Sequence, residues 1–150
     1  MQAPSAKPWS FHNPTQVHFG AGCRTALAAR VQGLKALVVT TRRGRQQFLA
    51  DPVLGALDAQ LEWVDSVTPN PGLAETQLEI DRLAAQRFDC VIAFGGGSAM
   101  DAAKALAAAL TPALECRDLA TLITNPGAHL TMPLLPIHAI TTTSGTGAEV

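Results

Sequence analysis

The sequence has 150 residues, the length of one domain, and a formal net charge of −1 from 11 basic and 12 acidic residues. This charge balance provides no electrostatic footprint for nucleic acid or for an anionic membrane surface, so we expect neither as a partner. Charged residues make up only 15% of the chain, so we expect part of the surface to be covered by a partner, for example in a homodimer or higher oligomer.

The start of the chain and its cysteines bear on the compartment. Residues 1–8 contain one lysine and no apolar run, which predicts a loose tail and not a secretory signal. The longest nearly apolar stretch, residues 102–110, is far shorter than the roughly 20 residues that span a bilayer. Cys23, Cys90 and Cys116 contain no C-x-x-C pair, which argues against a disulfide framework or a zinc knuckle. We therefore expect a cytoplasmic protein.

Strand-like and helix-like segments alternate along the chain, which is the main fold signal. The predicted strands cover residues 15–19, 35–41, 62–67, 89–94 and 134–140. The predicted helices cover residues 24–32, 51–60, 73–86 and 99–110.

Two of these assignments rest on particular signals. Asp51 followed by Pro52 predicts a helix start, because aspartate caps free amides and proline has the φ of a first helical residue. Residues 89–94 form an almost continuous apolar run, which is typical of a central parallel strand covered on both faces. Helical crossovers between strands give a parallel sheet, and right-handed crossovers make it doubly wound. The predicted fold class is α/β, with ligands bound beyond the carboxyl ends of the strands.

The strongest motif, G-G-G-S-A-M-D, lies between the buried strand at residues 89–94 and the following helix. Consecutive glycines let the backbone approach a ligand, and the helix offers unpaired amides and a positive dipole end. Gly95, Gly96, Gly97 and Ser98 are therefore predicted to bind a pyrophosphate. A capping box between Ser98 and Asp101 is a local alternative, but it leaves the three glycines unexplained. Neither the P-loop nor the G-x-G-x-x-G fingerprint is completed here.

A second motif, T-T-T-S-G-T-G-A-E-V, fills residues 141–150 at the end of the last predicted strand. Its hydroxyls and glycine amides can bind phosphate and ribose oxygens. By itself this composition equally fits a solvent-exposed Ser/Thr/Gly loop.

Together, the two motifs resemble the paired glycine-rich and threonine-rich motifs of the iron-containing (group III) alcohol dehydrogenases. Asn13-Pro14, Phe19-Gly20-x-Gly22 and Pro69-Asn70-Pro71 follow the order expected for that family. The resemblance implies a Rossmann-like domain that binds NAD or NADP over residues 1–150, followed by an all-helical domain that holds a divalent metal, iron or zinc. We therefore expect this sequence to end within the cofactor-binding half.

The same resemblance implies roles for individual residues. The pyrophosphate and nicotinamide side would be lined by Gly96, Gly97, Ser98 and Asp101. The opposite wall would be formed by Thr142, Thr143 and Thr146, with Asn70 near the adenosine.

No catalytic or metal-binding residue is expected in this chain, because the family's ligands lie downstream of Val150. His12, His18, His129 and His138 show no close H-x-x-x-H spacing. The reaction that the resemblance implies is hydride transfer between the nicotinamide and a small alcohol or aldehyde, with the metal binding the substrate oxygen.

Two other functions remain open from the sequence. Related cofactor domains occur in maleylacetate reductases, glycerol dehydrogenases and dehydroquinate synthase. A protein of another class, a stand-alone nucleotide-binding module without turnover, would carry the same motifs.

The choice between NAD and NADP rests on the end of the second predicted strand. An acidic residue there accepts bonds from the adenosine ribose and repels a 2′-phosphate, whereas an arginine accommodates that phosphate. NAD-using members of the family commonly have aspartate where this chain has Thr41. Arg42, Arg43 and Arg45 add positive charge, although a short basic run is often a solvated loop. The hypothesis is a preference for NADP.

Overall fold

Strands and helices alternate along the chain in the computed structural model, which describes residues 13–145, 147 and 148. The strands are β1 (Lys35–Val39), β2 (Gln60–Val64), β3 (Cys90–Gly95) and β4 (Ile137–Thr141). The α-helices are α1 (Thr25–Val31), α2 (Arg42–Ala50), α3 (Leu73–Leu83), α4 (Gly97–Ala109), α5 (Leu119–Thr124) and α6 (Pro126–His129). The strands are all parallel and lie in the order β2-β1-β3-β4, which confirms the α/β fold class.

Both faces of the sheet are covered by helices. Leu37 and Val91 pack with apolar residues of α3 and α4 on one face. Val38 and Ile92 pack with residues of α1 and α2 on the other face. Because successive side chains of a strand alternate between the faces, β1 and β3 must be apolar almost throughout. This is the doubly wound arrangement that the alternation of elements predicts.

The order of the strands fixes where a ligand can bind. From β1 the chain passes to β2 on one side and then returns to β3 on the other side of β1. The crossovers therefore leave a crevice between the carboxyl ends of β1 and β3, which is the topological switch point of the sheet. The segments that follow Val39 and Gly95 border this crevice.

The predicted helix over residues 51–60 is wrong. The helix lies earlier, at Arg42–Ala50, and the Asp51 carboxylate accepts hydrogen bonds from the amides of Val53 and Leu54 at 2.9 and 3.1 Å. The bond from Leu54 is the largest cause of the lowered pKa of the Asp51 carboxyl group. Asp51 does cap a turn, but that turn is a short 3-10 helix at Leu54–Ala56, and the chain enters β2 soon afterwards.

The predicted strand over residues 15–19 is also wrong. This segment pairs with no strand of the described sheet, and the side chains of Val17 and Phe19 are 71% and 98% exposed. A strand requires a neighbour to accept its backbone hydrogen bonds, and the alternation of residues alone does not supply one. Residues 1–8, predicted as a loose tail, and His12 lie outside the described residues.

The other predicted elements are confirmed, with boundaries that differ by a few residues. Among the described residues, we find no helix with the length and apolar composition needed to cross a membrane.

Candidate functional site

Hydrogen bonds join the carboxyl ends of three neighbouring strands. Thr40, directly after β1, donates its hydroxyl to the carbonyl of Phe94 in β3 at 2.7 Å. Thr142, directly after β4, donates its amide to the carbonyl of Gly95 at 2.9 Å. The glycine-rich loop after β3 is therefore held between the ends of β1 and β4.

The glycine-rich loop and the threonine-rich segment approach each other closely. Gly95 has a φ of +147°, and Gly96 is the N-cap of α4. A Cβ atom at Gly96 would lie 3.1 Å from the Thr143 hydroxyl oxygen. The first amides of α4, which belong to Gly97 and Ser98, have no carbonyl one turn earlier in the helix to bind. Together with the positive end of the helix dipole, these amides have the chemistry to bind an anion beside Thr143.

The local capping-box account of this motif is wrong. The N-cap Gly96 has no side chain, and α4 has no side-chain cap hydrogen bond. The Ser98 hydroxyl instead accepts the amide of Asn70 at 3.1 Å. Asn70 has a φ of +51°, a left-handed conformation that asparagine tolerates better than most residues. Ser98 thus connects the loop after β2 to the start of α4.

Three of the remaining predicted residues lie within the described part of the chain, on separate elements. Thr41 follows β1 and caps α2, where its hydroxyl accepts the amide of Gly44 at 3.0 Å. Asp101 is exposed on α4, and Thr142 is exposed after β4. Thr146 lies outside the described residues.

One residue of this edge, Thr40, is missed by sequence reasoning. Its side chain is completely buried, yet the sequence places it only at the end of a run of β-branched residues. A polar residue within such a run is the available signal, because a buried hydroxyl requires a hydrogen-bond partner.

The three arginines after Thr41 do not form a solvated loop. Arg42 and Arg43 are exposed in the first turn of α2, and Arg45 lies partly buried in the same helix. The Arg45 guanidinium is paired with the Asp65 carboxylate at 2.9 Å and lies over the Trp63 ring. Arg45 is therefore engaged with neighbouring side chains, whereas Arg42 and Arg43 face solvent near Thr41.

Two cavities occur elsewhere among the described residues. One of about 30 Å³ lies behind the loop after β2, which is room for a water molecule and not for a nucleotide. The other, of about 210 Å³, is lined by residues of α6 and of the segment after α4, among them Leu114, Cys116 and His129. No cluster of three or more His, Cys, Asp or Glu side chains that could hold a metal ion occurs within residues 13–145, 147 and 148.

The described histidines lie apart from the glycine-rich loop. His18 is exposed beside Arg30, and His129 is partly buried at the end of α6. His138 is partly buried in β4, and this burial is the main cause of its lowered pKa, to which the charge of Arg30 adds.

Comparison with known proteins gives consistent results. The family model described as iron-containing alcohol dehydrogenase matches residues 14–150. Alcohol dehydrogenase 4 of Schizosaccharomyces pombe is 29% identical over 94% of this chain and 34% of its own length. The chain thus spans about a third of the length of this curated relative.

Two solved structures share the fold. An iron-containing alcohol dehydrogenase from Thermotoga maritima superposes with a TM-score of 0.74 and 30% identity, over 95% of this chain and 40% of that one. Sulfoacetaldehyde reductase from Bifidobacterium kashiwanohense, in complex with NAD⁺, superposes with a TM-score of 0.70 and 28% identity, over 97% of this chain and 39% of that one. The chain therefore belongs to the iron-containing alcohol dehydrogenase family.

Proposed function

We propose that this chain binds NAD or NADP and positions the nicotinamide for hydride transfer to or from a small alcohol or aldehyde substrate. The observation that carries the proposal is the junction of the glycine-rich loop with Thr142 and Thr143 at the carboxyl edge of the sheet, beside its switch point. Family membership supports it, as does the NAD⁺ complex of the related sulfoacetaldehyde reductase.

The loop fits a dinucleotide on steric and electrostatic grounds. Gly96 lacks the Cβ atom that would intrude toward Thr143, so backbone amides can approach a pyrophosphate directly. In this proposal Gly95, Gly96, Gly97 and Ser98 hold the pyrophosphate. Asp101 lies toward the nicotinamide, Thr142, Thr143 and Thr146 form the opposite wall, and Asn70 and Thr41 lie on the adenosine side.

The chemical contribution of these residues is positioning. When bound, the nicotinamide supplies the hydride chemistry. The chain would fix the dinucleotide through backbone amides and hydroxyl groups, which keeps the reacting ring in one orientation toward a substrate. In the complete enzyme we propose a divalent metal, iron or zinc, but the described residues do not fit one.

The comparisons also support a proposal for which part of the enzyme this chain represents. Because the chain covers only 34% of the S. pombe relative, we propose residues 1–150 as the dinucleotide-binding domain and assign turnover to a polypeptide that also carries a helical metal-binding domain. A stand-alone nucleotide-binding module would share the binding properties and lack the turnover.

Binding is tested by titrating the chain with NAD⁺ and NADP⁺ in a calorimeter, with adenosine and inorganic phosphate as separate controls. We expect a dinucleotide to bind more tightly than either fragment, because the proposed site holds both its adenosine and its pyrophosphate. Absence of binding at millimolar dinucleotide would contradict the proposal.

The choice between NAD and NADP is part of the same proposal, and the contacts of Arg45 reduce the number of arginines proposed to meet a 2′-phosphate. Arg45 is engaged by Asp65 and Trp63, so Arg42 and Arg43 are the arginines proposed to meet a 2′-phosphate. Thr41 provides no carboxylate to repel that phosphate. The chain would therefore prefer NADP to NAD.

Thr41→Asp tests this preference. Aspartate is as good an N-cap as threonine, so α2 should keep its start while the site gains a negative charge. We expect the affinity for NADP to fall by about tenfold or more, because like charges at a few ångströms repel strongly even near a protein surface. Calorimetric dissociation constants for both cofactors give the measurement.

Thr41→Asn is the matched control, since asparagine caps the helix without a charge. It should retain the NADP preference. A wild-type chain that prefers NAD, together with unchanged NADP affinity in Thr41→Asp, would refute this part of the proposal.

A cytoplasmic location is also proposed. The three cysteines are unpaired, with Cys23 exposed, which suits a reducing compartment. Localisation of a tagged protein by fractionation tests it.

We also propose a homodimer or higher oligomer. Large apolar side chains such as those of Phe19 and Leu78 are 98% and 69% exposed, and such side chains commonly become covered in assemblies. Sedimentation analysis tests this proposal.

A further inference from the structure

We propose that Thr40 is a positioning residue for the glycine-rich loop. The inference rests on the proposed function, because that loop is the proposed pyrophosphate site. The Thr40 side chain is completely buried, and its hydroxyl donates to the Phe94 carbonyl at 2.7 Å. Phe94 directly precedes Gly95, so the bond holds the peptide at which the chain leaves β3 and enters the loop.

The backbone conformation of Gly95 makes such a restraint useful at this position. Its φ of +147° lies in a region that other residues rarely adopt, and glycine has no side chain to restrict it. Thr40 holds the carbonyl before Gly95, and the amide of Thr142 holds the carbonyl of Gly95 itself at 2.9 Å. Both peptides of this residue are therefore fixed from neighbouring strands.

The start of α4 depends on the same geometry. The carbonyl of Gly96 accepts the amides of Ala99 and Met100 at 3.0 and 3.2 Å. Gly97 and Ser98 lie between the Gly96 carbonyl and the Ala99 amide that binds it. The direction of their own amides therefore depends on the backbone conformation at Gly95 and Gly96. Through Gly95, Thr40 would aim the amides that are proposed to bind the pyrophosphate.

The packing around Thr40 leaves space for its hydroxyl. Gly44 is buried in the first turn of α2, and a Cβ atom there would overlap the Thr40 hydroxyl oxygen. Glycine within a helix is less favourable than alanine. Its presence here is explained by the space that the hydroxyl of Thr40 occupies.

Thr40 also belongs to the adenosine side of the proposed site. Its backbone amide donates to the carbonyl of Val64 in β2 at 2.9 Å, and its carbonyl accepts the amide of Val67 at 3.3 Å. The next residue, Thr41, caps α2. One buried residue thus links the end of β2, the proposed ribose contact and the proposed pyrophosphate loop.

Thr40→Val tests the role of the hydroxyl, because valine has nearly the same shape and cannot donate a hydrogen bond. Without this hydrogen bond the loop is held less firmly in the chain without cofactor, and it must be ordered when the cofactor binds. We therefore expect the dinucleotide dissociation constant to rise by about tenfold, a change in the range expected for one hydrogen bond. The amides of Ala99, Met100 and Thr142, called the three loop amides below, are bonded to carbonyls of Gly96 and Gly95. They should exchange hydrogen faster in the chain without cofactor, because their protection depends on the loop keeping its conformation. Calorimetry and hydrogen exchange followed by NMR provide the two measurements.

Two variants separate positioning from stability. Thr40→Ser retains the hydroxyl and should restore both the affinity and the slow exchange. Thr111→Val removes a buried hydroxyl at the other end of α4, which donates to Ala107 at 2.8 Å. This control should lower the free energy of unfolding and leave cofactor affinity and the three loop amides unchanged.

A fourth variant displaces the hydroxyl without altering Thr40. Gly44→Ala places a methyl group where the Thr40 oxygen lies, so the three loop amides should again exchange faster. This variant decides the question if Thr40→Val fails to fold.

The outcomes distinguish the inference from the function on which it rests. Unchanged affinity and exchange in Thr40→Val, or failure of Thr40→Ser to restore them, would overturn the positioning role. A wild-type chain that binds no dinucleotide would overturn the proposed function, and the exchange of the loop amides would still decide whether Thr40 positions the loop.

Discussion

Replacing Gly96 with valine should abolish dinucleotide binding while the domain stays folded. The backbone of Gly96 is extended, with φ −93° and ψ −168°, a conformation that valine adopts readily. A Cβ atom there would lie 3.1 Å from the Thr143 hydroxyl oxygen and 3.4 Å from its methyl carbon. The valine side chain would therefore fill the space between the two loops that the pyrophosphate needs. We expect affinity to fall by about 100-fold or more, which corresponds to about 2.7 kcal/mol.

Gly96 is a better test than Gly95, because a side chain at Gly95 would also strain a backbone with φ +147°. Gly127→Val is the matched control, since a Cβ atom at Gly127 meets no atom within 4 Å. Calorimetry gives the dissociation constants, and urea unfolding checks that Gly96→Val stays folded. If that variant binds the dinucleotide as tightly as the wild-type chain, the glycine-rich loop is only a turn.

The sequence predicts the elements that have strong local signals. The run at residues 89–94 becomes a central strand, and the three glycines after it begin a helix at the carboxyl edge. Both signals are local, because burial on two faces requires a continuous apolar run and a tight strand-to-helix turn favours glycine.

Helix α2 shows why other parts could not be predicted. Gly44 marks the segment as poor in helix propensity, and Asp51 followed by Pro52 suggests a later start. In the structure, Gly44 is required by the Thr40 hydroxyl, and Phe48 fixes the helix in the core. The Thr40 hydroxyl is directed by its bond to the distant Phe94 carbonyl, and Phe48 is fixed by the rings of Trp63 and Phe94. Both are tertiary contacts, which a window of sequence does not contain.

The candidate site likewise contains some residues that a sequence motif identifies and others whose roles depend on tertiary contacts. Gly96 and Ser98 stand out because of their motif, whereas the partner of Thr40 is known only once the register of β1 against β3 brings its hydroxyl to the Phe94 carbonyl. Similarly, Arg45 is one of several arginines in the sequence, and only its contact with Asp65 and Trp63 removes it from the proposed phosphate site.

Replacing Phe48 with alanine should remove a large part of the stability of the domain. Phe48 is completely buried, and its ring meets those of Trp63 and Phe94 edge to face, each with 5.4 Å between ring centres. We expect the free energy of unfolding to fall by about 3–5 kcal/mol, from the lost burial and the cavity that remains. This is a large share of the roughly 5–15 kcal/mol that stabilises a typical domain. Urea unfolding followed by circular dichroism measures the loss.

Two further variants test whether the loss of stability comes from the buried ring of Phe48. Phe48→Leu keeps most of the apolar volume and should cost clearly less than alanine, because a leucine side chain still fills part of the space. Leu49→Ala changes the next residue, whose side chain is 53% exposed, and should alter stability by no more than about 0.5 kcal/mol. Since Phe94 packs on Phe48 and precedes Gly95, Phe48→Ala should also speed exchange of the Ala99 and Met100 amides. Equal stability of the two alanine variants would show that α2 is not fixed to the sheet through Phe48.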